Sequence, residues 1–84
     1  MAAAYKVGKV THYFDRLGVA VVELDADLAV GDTIRFERGG EELFQQEVSS
    51  MQIDKKEIEL AKKGQEVGLK TIQEVKEGAE IFKE

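Results

Sequence analysis

The chain has 84 residues, 17 acidic and 12 basic, with a formal net charge of −5 and no cysteine. That length makes one domain, burying only about 60% of its unfolded surface, and the missing cysteines exclude both a disulfide framework and a thiolate metal site. No apolar run approaches the ~20 residues that span a bilayer, and residues 1–5 are too short for a signal peptide, so a soluble cytoplasmic protein without a membrane partner is expected. Both signs of charge are spread along the chain, and net acidity argues against phosphate binding by the surface as a whole while leaving room for a local basic patch. Charged residues make up 35% of the chain and asparagine is absent, a bias also met in heat-adapted proteins.

Residues 1–4 read as a disordered end and residues 5–84 as a single domain. From Lys6 the pattern is strand-like, with Val10, His12 and Phe14 on one face and Lys9, Thr11 and Tyr13 on the other. Val7 has the opposite parity to Val10, so Gly8 is expected to mark a bulge that turns both inward. Asp15 to Leu17 form a turn before Gly18. Val19 to Leu24 is apolar on both faces, as in a strand central to a small barrel. Asp25 to Gly31 is an acidic turn in which Leu28 and Val30 are expected to dip back towards the core, and Thr33 to Arg38 alternates with Ile34 and Phe36 inward.

Gly39 and Gly40 read as a hairpin turn. The next strand is expected to run from Leu43 to about Ile53, with Phe44 and Val48 on one parity, Met51 and Ile53 on the other, and a bulge near Ser49 and Ser50. Between Asp54 and Gly64, Asp54 with Glu57 fits a capping box and Gly64 a helix stop, whereas Ile58, Leu60 and Ala61 make only a narrow apolar stripe. The expectation there is a charged loop pinned by Ile58, with one helical turn around Leu60 to Lys63. Glu66 to Lys70 is a strand with Val67 and Leu69 inward, Ile72 and Val75 pin the next connection, and Glu80 to Lys83 closes the sheet. A glycine followed three residues on by a β-branched aliphatic recurs as Gly31 with Ile34, Gly64 with Val67 and Gly78 with Ile81, each a sharp turn that delivers the chain into a strand.

About six short strands with regular turn signals favour an all-β fold, a small closed six-stranded barrel rather than a sandwich, because so few strands leave edges to protect. The order GKVTHYF, GVAVVEL, LAVGDTIRF, VSSMQI, AKKGQEVGLK and VKEGAEIF, from about Tyr5 to Phe82, resembles the second domain of translational GTPases of the elongation factor Tu type, a Greek-key β-barrel. The closest pattern is that of small stand-alone elongation-factor-like proteins and of a similar C-terminal domain in collagenase-like peptidases. In the GTPases this barrel contacts ribosomal RNA, so the resemblance implies a binding module that meets RNA or a ribosome-associated partner. Ser50 departs from the acidic residue that elongation factor Tu places before the methionine of this strand, which stands against an inherited aminoacyl-adenosine pocket. No G-x-x-x-x-G-K-[ST] loop is present, so no nucleotide is expected as substrate.

Four residue groups invite a functional reading. His12 is the sole histidine, able to act as an acid or base beside Asp15, but without a locatable nucleophile it reads as a packing or surface residue. Asp25, Asp27 and Asp32 suggest a calcium loop, yet Ala29, Val30 and Phe36 stand where a ligand, a glycine and a bidentate glutamate are needed, so neither metal nor cofactor is expected. His12, Tyr13 and Arg16, with Phe14, form an aromatic and basic cluster at the first hairpin, suited to stacking and phosphate contact; the plainer reading makes Phe14 core and Tyr13 an edge shield. Lys55, Lys56, Lys62 and Lys63 could add phosphate contacts, or with Glu57 and Glu59 form a mixed solvated surface. Two functions follow: a non-enzymatic, monomeric module binding RNA or a ribosome-associated protein, or a protein–protein adaptor that docks in trans on a larger GTPase or peptidase. A small hydrolase lacks a recognisable nucleophile, base and oxyanion arrangement.

Overall fold

A computed structural model of the chain describes residues 5–83; the expected disordered residues 1–4 lie outside the described residues. The described residues form ten strands: β1 (Tyr5–Phe14), β2 (Val19–Leu24), β3 (Leu28–Ala29), β4 (Thr33–Arg38), β5 (Glu41–Glu47), β6 (Met51–Ile53), β7 (Lys56–Ile58), β8 (Leu60–Ala61), β9 (Glu66–Lys70) and β10 (Glu80–Lys83). Eight of them form one antiparallel sheet in the order β5-β4-β10-β1-β2-β9-β6-β7, and β3 pairs with β8 in a second small sheet. The C-terminal strand lies mid-sheet, bonded to β4 on one side and β1 on the other. Among the described residues no helix is long and apolar enough to cross a membrane.

The inward side chains make one core that includes Val7, Val10, Val22, Leu24, Ile34, Phe36, Leu69 and Ile81. Val7 and Val10 reach it together because the register of β1 against β10 slips between Lys6 and Gly8, as the opposite parities required. Gly8 sits so close to β2 that an added Cβ would lie 2.7 Å from Val22 Cγ1 and 2.8 Å from the Glu23 carbonyl oxygen. A second slip, between Val10 and His12, is marked by no glycine. It reverses the faces beyond it, so Tyr13 packs against the core while Phe14 is 44% exposed. Both the predicted common face of Val10, His12 and Phe14 and the plainer reading of Phe14 as core are therefore corrected.

The long strand expected over 43–53 is two strands with a corner between them. β5 pairs with β4 through the Gly39–Gly40 turn, whereas β6 pairs with β9. In the corner, Val48 is buried and its amide donates to the Asp32 carbonyl at 2.8 Å. The hydrogen-bonded order therefore ends at β5 and β7, and the predicted closed six-stranded ladder is replaced by an open one. Part of the separation is bridged by Gln46, only 8% exposed. Its Nε2 donates to the Lys70 carbonyl at 2.8 Å, and its Oε1 accepts from the Ile72 amide at 2.9 Å. One side chain thus ties β5 to the end of β9, two elements without a mutual backbone ladder.

The one-turn helix expected around Leu60 to Lys63 is absent; residues 56–58 and 60–61 are strands. Asp54 and Lys55, with φ of 52° and 66°, form the two-residue turn of the β6–β7 hairpin. Glu57 lies opposite Gln52 in that hairpin instead of capping a helix. Leu28 is buried as expected, but Val30 is 40% exposed, and of the two residues expected to pin the last connection Val75 is buried while Ile72 is 70% exposed.

Candidate functional site

The β1–β2 hairpin closes with the Leu17 and Gly18 amides both donating to the Phe14 carbonyl, at 3.1 and 2.9 Å. The second register slip divides the aromatic and basic cluster between the two faces of the sheet. His12 points outward, its Nδ1 3.2 Å from Glu77 Oε2 and its ring edge-on to Phe14 at 4.4 Å. Tyr13 turns the other way and lines a polar cleft with Asp15, Arg38, Glu74 and Lys76. Arg16 stands exposed in the turn and makes no ion pair among the described residues.

The four lysines lie elsewhere. Gly64 donates to the Leu24 carbonyl and Lys63 to Asp27 Oδ1, which puts Lys62 and Lys63 at the end of β2 remote from Arg16. The register of β6, with Met51 opposite Leu69 and Gln52 opposite Gly68, carries Lys55 and Lys56 towards that same remote end. No single surface thus joins His12, Tyr13 and Arg16 to Lys55, Lys56, Lys62 and Lys63. The three aspartates are likewise separately engaged: Asp25 near Lys6, Asp27 with the Lys63 amide, and Asp32 with the Ala29 amide and Lys83.

What the fold assembles at the hairpin end is an apolar outer face. Directly opposed residues of an antiparallel pair share a face, and Phe14 opposes Val19 while His12 and Gly68 both oppose Val21. Phe14 and Leu17 are exposed and Val19 and Val21 half-buried. Beside them Leu17, Val19, Ser50, Gln52 and Lys70 surround a hollow over Gly68. Lys70 folds back so that Nζ donates to the Leu17 carbonyl at 2.9 Å. Sequence reasoning missed Val19, Val21 and Gly68 as surface residues; the available signal was a strand apolar on both faces beside a glycine inside a neighbouring strand.

Two lysines away from this face have altered titration. The hydrogen bond to Glu80 holds Lys6 above its ordinary range, and the hydrogen bond to Asp32 does the same for Lys83, desolvation opposing in each case. These are cross-strand clamps rather than an acid or base poised in a cleft.

No protein-family model matches the chain. It is 38% identical over 77 residues to an uncharacterised protease of Methanocaldococcus jannaschii, a match covering 92% of this chain and 19% of that protein. The chain therefore spans about a fifth of the length of this relative. Two crystal structures of the C-terminal domain of a Geobacillus thermoleovorans protein assigned to the U32 peptidases share the fold. One has a TM-score of 0.84 with 22% identity, covering 92% of this chain and 96% of that domain. The other, also at 0.84 with 24% identity, covers 93% and 90%. These matches fall on the peptidase side of the expected resemblance and lend no support to the elongation factor Tu side.

Proposed function

We propose that this chain is a non-enzymatic docking module, an adaptor that binds a larger protein of the peptidase class through the outer face of β1 and β2. The observation that carries the reading is an apolar outer face on which Phe14 and Leu17 are exposed and Val19 and Val21 half-buried. The core beneath is filled from the inner faces of the same strands, by Val10, Ala20, Val22 and Leu24 among others. Apolar area gathered on one face of a small protein is characteristic of a partner site. The relatives point the same way, since matching sequence forms a fifth of a longer protease and matching folds are C-terminal peptidase domains. In this reading the open sheet wraps the core as a barrel whose seam is held by side chains such as Gln46, and the lack of cysteine accords with a reducing cytoplasm.

His12 faces Glu77 and Phe14. Placing a photo-crosslinking residue at Leu17, in cells and with nuclease treatment of the extract, tests the proposal. Adducts to a peptidase-class protein that survive nuclease are expected; adducts consisting of RNA, or lost with nuclease, would overturn it.

A further inference from the structure

Of the glycines in this chain, Gly68 has neither a positive φ nor backbone closer than 3.8 Å to where a Cβ would stand. Six others have positive φ, a conformation other residues rarely adopt, and Gly8 has backbone within 2.8 Å of where a Cβ would stand. Gly68 lies inside β9 with extended backbone, and an added Cβ would meet only Val19 Cγ1 at 3.2 Å and the Gln52 carbonyl at 3.8 Å. That contact is tight, and a β-carbon at Gly68 requires Val19, a half-buried side chain of the outer face, to shift by a few tenths of an ångström. A glycine inside a strand sacrifices stability and packing, and marks a place where another group approaches closely. Here the missing side chain opens onto the hollow bounded by Leu17, Val19, Ser50, Gln52 and Lys70.

The charges around this hollow are polarised. At the hairpin end, Lys70 lines the hollow with its Nζ donating to the Leu17 carbonyl, and Arg16, next to Leu17 in the chain and outside the lining, makes no ion pair among the described residues. At the other end, Glu23 and Glu66 stand directly opposite each other on β2 and β9, and on the β7 side Glu57 stands opposite Gln52. The two cations at the hairpin end are complementary to an anionic group placed there, and the glutamates repel one from the other sides. We infer that the Gly68 hollow receives a protein segment carrying a bulky aliphatic side chain, with a neighbouring carboxylate directed towards Arg16 and Lys70. The inference rests on the docking reading and specifies the chemistry of its partner.

The test uses the full chain and three acetylated ten-residue peptides of glycine and serine. One has a central leucine followed by two glutamates, one replaces the glutamates with lysines, and one replaces the leucine with alanine. In amide-shift titrations the leucine–glutamate peptide is expected to move Gly68, Val19 and Lys70, with the other two binding at least about tenfold more weakly. Gly68→Val is expected to fill the hollow and weaken that peptide at least about tenfold while the chain stays folded, as its dispersed amide spectrum reports. Should Gly68→Val fold poorly, Gly68→Ala supplies the same comparison. Replacing both cations, Arg16→Glu with Lys70→Glu, is expected to transfer the preference to the lysine peptide. Equal binding by Gly68→Val, equal binding of the lysine peptide to the unaltered chain, no peptide binding tighter than about 1 mM, or self-association through the same amides would each overturn the inference. A nuclease-resistant Leu17 crosslink that persists in Gly68→Val overturns the hollow while leaving the docking reading intact; absence of every protein crosslink at Leu17 removes the reading itself.

Discussion

The two faces of β2 are built from the same kind of residue and have opposite fates. Ala20, Val22 and Leu24 are sealed in the core, at most 2% exposed, whereas Val19 and Val21 face outward beside Phe14 and the Gly68 hollow. An apolar side chain records that a position suits removal from water, and does not record whether this chain or another one does the removing. That difference separates residues that hold the fold from residues available for docking.

The largest test of the comparison is a pair of truncations on the two faces. Leu24→Ala removes a fully packed side chain and is expected to cost about 2–5 kcal/mol, while Val21→Ala, on the half-buried outer face, is expected to cost no more than about 1 kcal/mol. Thermal or urea unfolding measures both, and a Val21→Ala loss approaching that of Leu24→Ala would make the outer face part of the structural core. Next comes the seam. Gln46→Leu leaves the Lys70 carbonyl and the Ile72 amide without their side-chain partner, an expected loss of about 1–3 kcal/mol. Hydrogen exchange should then quicken at Ile72 before it does so in β2; uniform exchange through the sheet would deny Gln46 its bridging role.

The smallest effect belongs to the Lys83 clamp, which is far from either face of β2. Because the folded form holds Lys83 above the ordinary 10.5, its contribution is fully present below that value and fades as pH rises through the higher folded value. The pair is partly exposed and screened, so the contribution is expected to stay under about 1 kcal/mol. Lys83→Met should lower stability slightly at neutral pH and show a shallower alkaline decline than the unaltered chain. Parallel alkaline profiles would remove the clamp from the account.

Much of the fold was legible because local chemistry and tertiary need coincide. Gly31, Gly64 and Gly78 have φ of 97°, 90° and 89°, and each is followed by a short connection into a strand, as their spacing predicts. The slip at Gly8 was readable from the conflicting parities of Val7 and Val10. The slip after Val10 was not, because Thr11 bears no local mark of a bulge, and the error passed to His12, Tyr13 and Phe14 together. Asp54 and Glu57 misled for a related reason: a capping box and a two-residue turn both favour a short polar side chain at the first position, and only pairing with β6 separates them. Nothing in residues 72–75 distinguishes Ile72 from Val75 until the connection is placed over the core.

The candidate site was less legible than the fold. The sequence brought out Phe14, His12, Tyr13 and Arg16 by their neighbourhood along the chain, but a docking face is a property of adjacent strands, and Val19, Val21 and Gly68 meet Phe14 only through cross-strand register. The lysines show the converse: Lys62 and Lys63 attract notice by adjacency, and the turn that carries them leaves them at the far end of β2.

By itself the amino-acid sequence determined an all-β chain, the position of its glycine corners and most of its buried aliphatics, since turn geometry and alternation act over a few residues. Tertiary structure alone decided which apolar face stays open, where the sheet stops pairing and how Gln46 spans the separation. Those outcomes depend on the register between strands distant in sequence, where one extra residue reverses every side chain beyond it.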